Sequence, residues 1–211
     1  LSDTRIKAKK AVKAAAKADR TVTHDAARHR DTLPMRVIGF LGEVADQPQL
    51  ITASVGTIAA GLIGRRADLV RGGTRMLAAH LLATAAKTAI KRSIDRTRPA
   101  KALTDGNHRF RPGDSDDHAL NSFPSGHTAG AVAVARAAAR EIEGAAAPAA
   151  LGAAAIAAIQ PAAGNHYISD VIVGGAIGWL AEAIVDAAFE RLARPVATAY
   201  VAPTTAPTPT S

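Results

Sequence analysis

The chain predicts an all-helical bundle of five or six helices. Three observations carry that expectation. Ala, Val, Ile, Leu and Gly dominate while aromatic residues are only 3% of the chain, no alternating apolar and polar run of strand length occurs, and apolar stretches recur at helical length between turn signals. At 211 residues the chain can bury one sizeable core and is too short for two comfortable domains.

The elements follow in order. Residues 1–35 read as a basic, partly helical leader, because Ala-rich runs such as Ala14-Ala15-Ala16 favour helix and the lysines favour water. Ten Lys and Arg against four Asp within residues 1–36 account for most of the net charge of +8. Such a leader suits either anionic headgroups or plain solvation, and it lacks the short apolar run and cleavage site of a secretory signal. Candidate helices then fall at 36–46, 50–64, 70–92, 126–143, 145–160 and 168–192, within a helical domain spanning 36–195. Between the third and fourth lies a polar segment, 99–123, rich in Pro, Gly, Asp and Arg. A loop of that length in a compact domain signals function. Residues 196–211, rich in Pro and Thr, have the composition of a disordered tail.

Three clusters carry chemistry. Lys91 and Arg98, followed by Pro99, place two cations seven residues apart, two turns along one face if the helix continues, with Pro99 ending it. Arg98 offers a planar fork for an oxyanion and Lys91 a point charge. Ser122-Phe123-Pro124-Ser125-Gly126-His127 precedes an apolar run and reads as a helix N-terminus, where free N–H groups face an anion. Ser125 serves there as cap or donor, Gly126 lets the backbone approach closely, and His127 is a general-acid candidate. Ser122 and Asn121 read as simple caps. His166 and Asp170, four apart, share a helical face, so the carboxylate can orient the imidazole as a nucleophile. An ordinary capped helix and a surface His–Asp pair remain alternatives. So does a metal site completed by Asp114, Asp116, Asp117 and His118.

In order and spacing these clusters resemble the type-2 phosphatidic acid phosphatase and vanadium haloperoxidase superfamily, over about residues 70–185. The resemblance implies a helical bundle of that type, in or on a membrane. It implies that Lys91, Arg98, Ser125 and Gly126 hold a phosphate, His166 attacks it, Asp170 orients His166 and His127 assists the leaving group. It further implies a metal-independent phosphatase, with no cofactor, that cleaves a phosphate monoester or diphosphate of a lipid or polyprenol through a phosphohistidine.

One position departs from the pattern. The family's third motif opens with Ser-Arg, where this chain has Ile159 and Gln160. Gln160 then stands as a phosphate-binding position that can donate a hydrogen bond without the charge, and a charge-assisted bond is about twice as strong. Arg109 or Arg111 could restore the cation.

Membrane signals are mixed. Residues 144–165 and 47–64 are uncharged stretches, and Gly174-xxx-Gly178 and Gly126-xxx-Gly130 allow close helix approach. Against these, Glu182, Asp186 and Glu190 form a polar stripe that suits a water-facing helix. Arg65, Arg66, Arg71, Arg75, Arg136 and Arg140 lie at the end opposite the motifs. Positive-inside bias then puts the site on the outward face of a bacterial-type inner membrane. Competing readings are a weakly catalytic anionic-lipid binder, a metal-dependent hydrolase and a vanadate-dependent haloperoxidase. Nucleic acid is not an expected partner, since the basic residues lack interleaved aromatics.

Overall fold

The computed structural model describes residues 2–42 and 45–197. Three helices form its centre: α4 (Ala67–Lys91), α6 (Gly126–Glu141) and α8 (Ile168–Ala197), with α3 (Gln47–Ile63) against α4 and α7 (Ala146–Ala162) against α6. Small side chains decide this packing. Met76, Ala79 and Ala83 of α4 meet Ala133, Ala137 and Ala138 of α6 and Ala181 and Val185 of α8 in one buried cluster. Where even alanine is too large, glycine stands: a Cβ at Gly174 would overlap the Ser125 carbonyl, and one at Gly178 the Ala129 carbonyl. The small-xxx-small pattern of α8 thus brings its backbone against the start of α6.

At the far end, charge holds the same three helices. Arg75 pairs with Glu141 (3.0 Å) and Asp186, Arg136 with Glu182 (2.8 Å), and Arg140 with Glu182 and with Asp186 (3.0 Å). This corrects the expectation of a water-facing acidic stripe on α8. Glu182 is buried at 1% exposure because Arg136 and Arg140 of α6 neutralise it from across the interface, and Asp186 pairs with Arg75 of α4, while Glu190 alone of the three is exposed.

The expected helix boundaries hold to within a few residues, with α2 (Leu33–Gly42) standing for the helix expected at 36–46, and α1 (Ser2–Ala26) before it makes the leader helical over most of its length. The segment between α4 and α6 is more ordered than its composition suggests. It holds β1 (Ile94–Arg96), α5 (Pro99–Asp105) and β2 (Phe110–Pro112), with β1 and β2 antiparallel and Asp95 opposite Arg111. Pro99 starts α5 instead of ending a helix, which suits a residue whose missing N–H is unneeded in a first turn. Gly106, at φ 65°, closes α5 in the left-handed region.

Among the described residues one helix is long and apolar enough to cross a bilayer, Ile168–Leu192 of α8. The uncharged stretches expected to matter, 144–165 and 47–64, form 17-residue helices instead. Residues 198–211, most of the expected tail, lie outside the described residues.

Candidate active site

The three motif clusters meet at one end of the bundle. Lys91 is the last residue of α4; β1 intervenes, and Arg98 follows as the N-cap of α5. The two cations therefore converge through a turn and a strand, not along one helix. Lys91 Nζ donates to the Asn121 carbonyl (2.6 Å), and Arg98 Nε donates to the His118 carbonyl (2.9 Å). Carbonyls of the 118–121 turn thus point both cations at one place. Lys87, one turn before Lys91, lies on the same face, and a Cβ at Gly126 would come within 2.9 Å of its Nζ. No motif marks this third cation, although its i, i+4 spacing from Lys91 is visible in the sequence.

Ser125 caps α6 as its position implies, with its Oγ accepting from Thr128 N at 3.4 Å and lying 3.0 Å from Thr128 Oγ1. Its own N–H donates to the Asp170 carbonyl (3.0 Å), which ties the start of α6 to the first turn of α8. His127 presents Nε2 to Asp46 Oδ1 at 3.1 Å, and its ring centroid stands 6.4 Å from that of His166. Asp46, the residue before α3, is a neighbour that no motif announces.

His166 is buried, and its Nδ1 lies 2.6 Å from the Ser122 carbonyl. A carbonyl can only accept, so Nδ1 carries the proton and, in the neutral ring, Nε2 keeps its lone pair. The ring is neutral near pH 7. Burial drives its pKa down to about 4, opposed by Asp170 and reinforced by the charges of Arg98 and Lys91. Asp170 does not make the ring contact that its spacing suggests. Its Oδ2 is 3.8 Å from Nδ1, longer than a hydrogen bond. The reason is prior engagement: Oδ2 accepts from Ser122 Oγ (2.6 Å) and Tyr167 N (2.8 Å), and Oδ1 accepts from Arg96. Ser122, expected as a simple cap, instead joins both members of the pair.

Arg96 is a further member of the site that no motif announces. Its guanidinium binds Asp170, Ser169 Oγ (2.7 Å) and Asp19 Oδ2 (2.8 Å), and it lies 4.1 Å from the Tyr167 ring centroid. Beside it, a cavity of about 450 Å³ is lined by Arg20, His108, Phe110, Phe123 and Tyr167 among others.

Gln160 is buried at the end of α7, where its main-chain carbonyl accepts from Asn165 N (3.0 Å) and His166 N (3.3 Å). Its side-chain Oε1 lies 3.5 Å from Nδ2 of Asn165, the residue before His166. Arg111 lies in exposed β2, and Arg109 lines the cavity near Arg96. Among the described residues no three His, Asp or Glu side chains are grouped to hold a metal ion, and Asp117 is occupied in capping the turn at Ala119.

Burial also lowers Arg98 and brings Lys91 down to about 7, with the repulsion of Arg98 and Lys87 adding to it. Cations crowded at the cost of their own ionisation make a place that an oxyanion would relieve.

A search of curated protein sequences finds no match. Two solved structures share the fold. The chain is similar to LpxE of Aquifex aeolicus, with 22% identity, a TM-score of 0.56, and coverage of 78% of this chain and 92% of that one. It is also similar to a transmembrane PAP2-type phosphatidylglycerolphosphate phosphatase from Bacillus subtilis, with 19% identity, a TM-score of 0.60, and coverage of 86% and 89%. The family model for the PAP2 superfamily matches residues 72–193, from the second turn of α4 through most of α8 and across every cluster described above, and the chain belongs to that superfamily.

Proposed function

We propose that this protein is a phosphatase that hydrolyses a phosphate monoester or diphosphate of a lipid or polyprenol through a phosphohistidine at His166. One observation carries the reading. The Ser122 carbonyl holds the Nδ1 proton of a neutral, buried His166, which leaves Nε2 unprotonated beside the cations Lys91 and Arg98.

In this reading the substrate phosphate rests on Lys91, Arg98, the Ser125–Gly126 turn and the Gln160 amide. Nε2 of His166 attacks phosphorus as the ester P–O bond breaks, and His127 gives a proton to the departing alkoxide. Water then attacks the phosphorus of the N–P bond, with His127 taking a proton from it. Phosphate leaves and His166 returns to its neutral form. Asp170, Ser122 and Arg96 keep the ring in place, and no metal takes part.

A lipid substrate is supported by the family and by the similar Bacillus subtilis enzyme, which is named for a phospholipid phosphate. The exposed apolar side chains of α8, among them Ile172, Trp179, Leu180 and Ile184, support a seat in a membrane, and the arginines at the end opposite the motifs favour an inner membrane with the site facing outward.

The test is phosphoenzyme trapping. Brief incubation with a ³²P-labelled lipid phosphate and alkaline quench should leave base-stable, acid-labile label on the wild type and none on His166→Ala, with EDTA without effect. Label retained by the His166 variant would move the nucleophile elsewhere, and loss with EDTA would favour metal hydrolysis.

A further inference from the structure

The N-terminal helix has a second side. Six of its cations, Lys7, Lys9, Lys10, Lys13, Lys17 and Arg5, are exposed. Asp19 and Thr23, one turn apart, face inward instead, where the Asp19 side chain is 13% exposed and Thr23 is fully buried. Both reach the start of α8. Thr23 Oγ1 accepts from Ile168 N (3.2 Å), and Asp19 accepts from Ser169 N (3.0 Å) and Ser169 Oγ (2.6 Å). The first N–H groups of a helix have no partner within it, and here residues about 150 positions earlier in the chain supply the capping oxygens.

The contacts continue to the reacting ring. Asp19 Oδ2 takes one arm of Arg96 at 2.8 Å, the other arm holds Asp170, and Asp170 shares Ser122 with His166. Every link is largely buried: side-chain exposure is 13% at Asp19, 12% at Arg96 and 0% at Asp170. Arg96 is thereby placed between two carboxylates. Among the described residues, Asp19 is what fixes its second arm.

We propose that Asp19 is a positioning residue of the active site, acting through Arg96 and the cap of α8 to hold Asp170 and His166, so that the N-terminal helix is part of the catalytic unit. The inference rests on the phosphatase reading for its rate effects and on geometry alone for its structural ones. Asp19 itself remains ionised, since hydrogen bonds from Ser169 and Arg96 outweigh the effect of burial and lower its pKa.

The experiment compares Asp19→Asn, Asp19→Glu and the control Asp25→Asn, an exposed α1 carboxylate paired with Arg28, in the full chain. Turnover of an aryl phosphate and amide exchange at Tyr167 and Ser169 are measured for each. Asp19→Asn should lower kcat about 10- to 100-fold with KM nearly unchanged, as expected for a misplaced reacting group. Asp19→Glu should recover part of that loss, and Asp25→Asn should match the wild type. In Asp19→Asn, exchange at Tyr167 and Ser169 should speed up at least about tenfold while amides of α4 stay protected. A kcat within about twofold of wild type, or equal losses in Asp19→Asn and Asp25→Asn, overturns the proposal. If the wild type turns over no phosphate ester, the phosphatase reading falls separately, and unchanged exchange at Tyr167 and Ser169 then overturns the positioning role.

Discussion

The main-chain carbonyl of Ser122 stands 2.6 Å from Nδ1 of His166, closer than the carboxylate of Asp170 at 3.8 Å. Ring tautomer is thus set by a peptide group, and the carboxylate supplies charge from one layer further out. Ser122→Ala keeps the carbonyl and removes the hydroxyl, with its bond to Asp170 (2.6 Å) and its longer contact with the Asn165 carbonyl (3.4 Å). It should cost about 1–3 kcal/mol of stability for a buried acceptor left short of a donor, while measurable turnover remains. Asp170→Asn should be the more damaging change, because Arg96 loses a charged partner. Urea midpoints and kcat for the two variants check this order.

In the proposed reaction His127 gives the proton that the leaving group takes. His127→Ala should lower turnover of a lipid phosphate by about 10²- to 10⁴-fold, the usual span for a general acid. An aryl phosphate whose phenolate leaves without help should lose much less. Equal losses for both substrates would assign His127 to binding instead.

Two ionisations bound the pH range. Lys91, near 7, is charged below that value and loses its proton as pH rises through it, so the free site binds anions more weakly on the alkaline side. Inhibition by inorganic phosphate, corrected for the ligand's own ionisation, should weaken up to about tenfold per pH unit above about 7. Lys91→Arg should remove that step. On the acid side, His166 of the free site becomes protonated only near pH 4, and kcat/KM should fall below it. A Lys91→Arg profile parallel to wild type would refute the assignment.

Close packing makes a steric prediction. In Gly178→Ala the new methyl would overlap the Ala129 carbonyl and lie 3.1 Å from Ala133 N, costing about 1–3 kcal/mol. Gly152, in α7, has nothing within 4 Å of where a Cβ would stand, so Gly152→Ala should raise stability by about 0.5–1 kcal/mol. Thermal melts of the two variants should move in opposite directions.

Much of the fold and site is legible in the sequence, and what escapes it shares a physical cause. Apolar periodicity locates α3, α4, α6, α7 and α8, and motif spacing draws together Lys91, Arg98, Ser125, His127, His166 and Asp170. The Ser122 carbonyl cannot be read, because a peptide oxygen has no residue identity. Arg96 is hidden among the cations of 91–111. Asp19 looks like charge balance in a lysine-rich helix, although its i, i+4 partner Thr23 and the small Ala27 beyond it, both buried, sketch an inward face. The acidic stripe of α8 misleads for a related reason: a single helix shows its charges and not the arginines opposite them.

Because Gly174 and Gly178 bring peptide against peptide, the spacing between the starts of α6 and α8, and so between Ser125 and His166, is a main-chain dimension, independent of which side chains fill the core around it. On the proposed reaction, substitutions on the outer flanks of the bundle can therefore remodel what the protein grips without altering the distance across which it reacts.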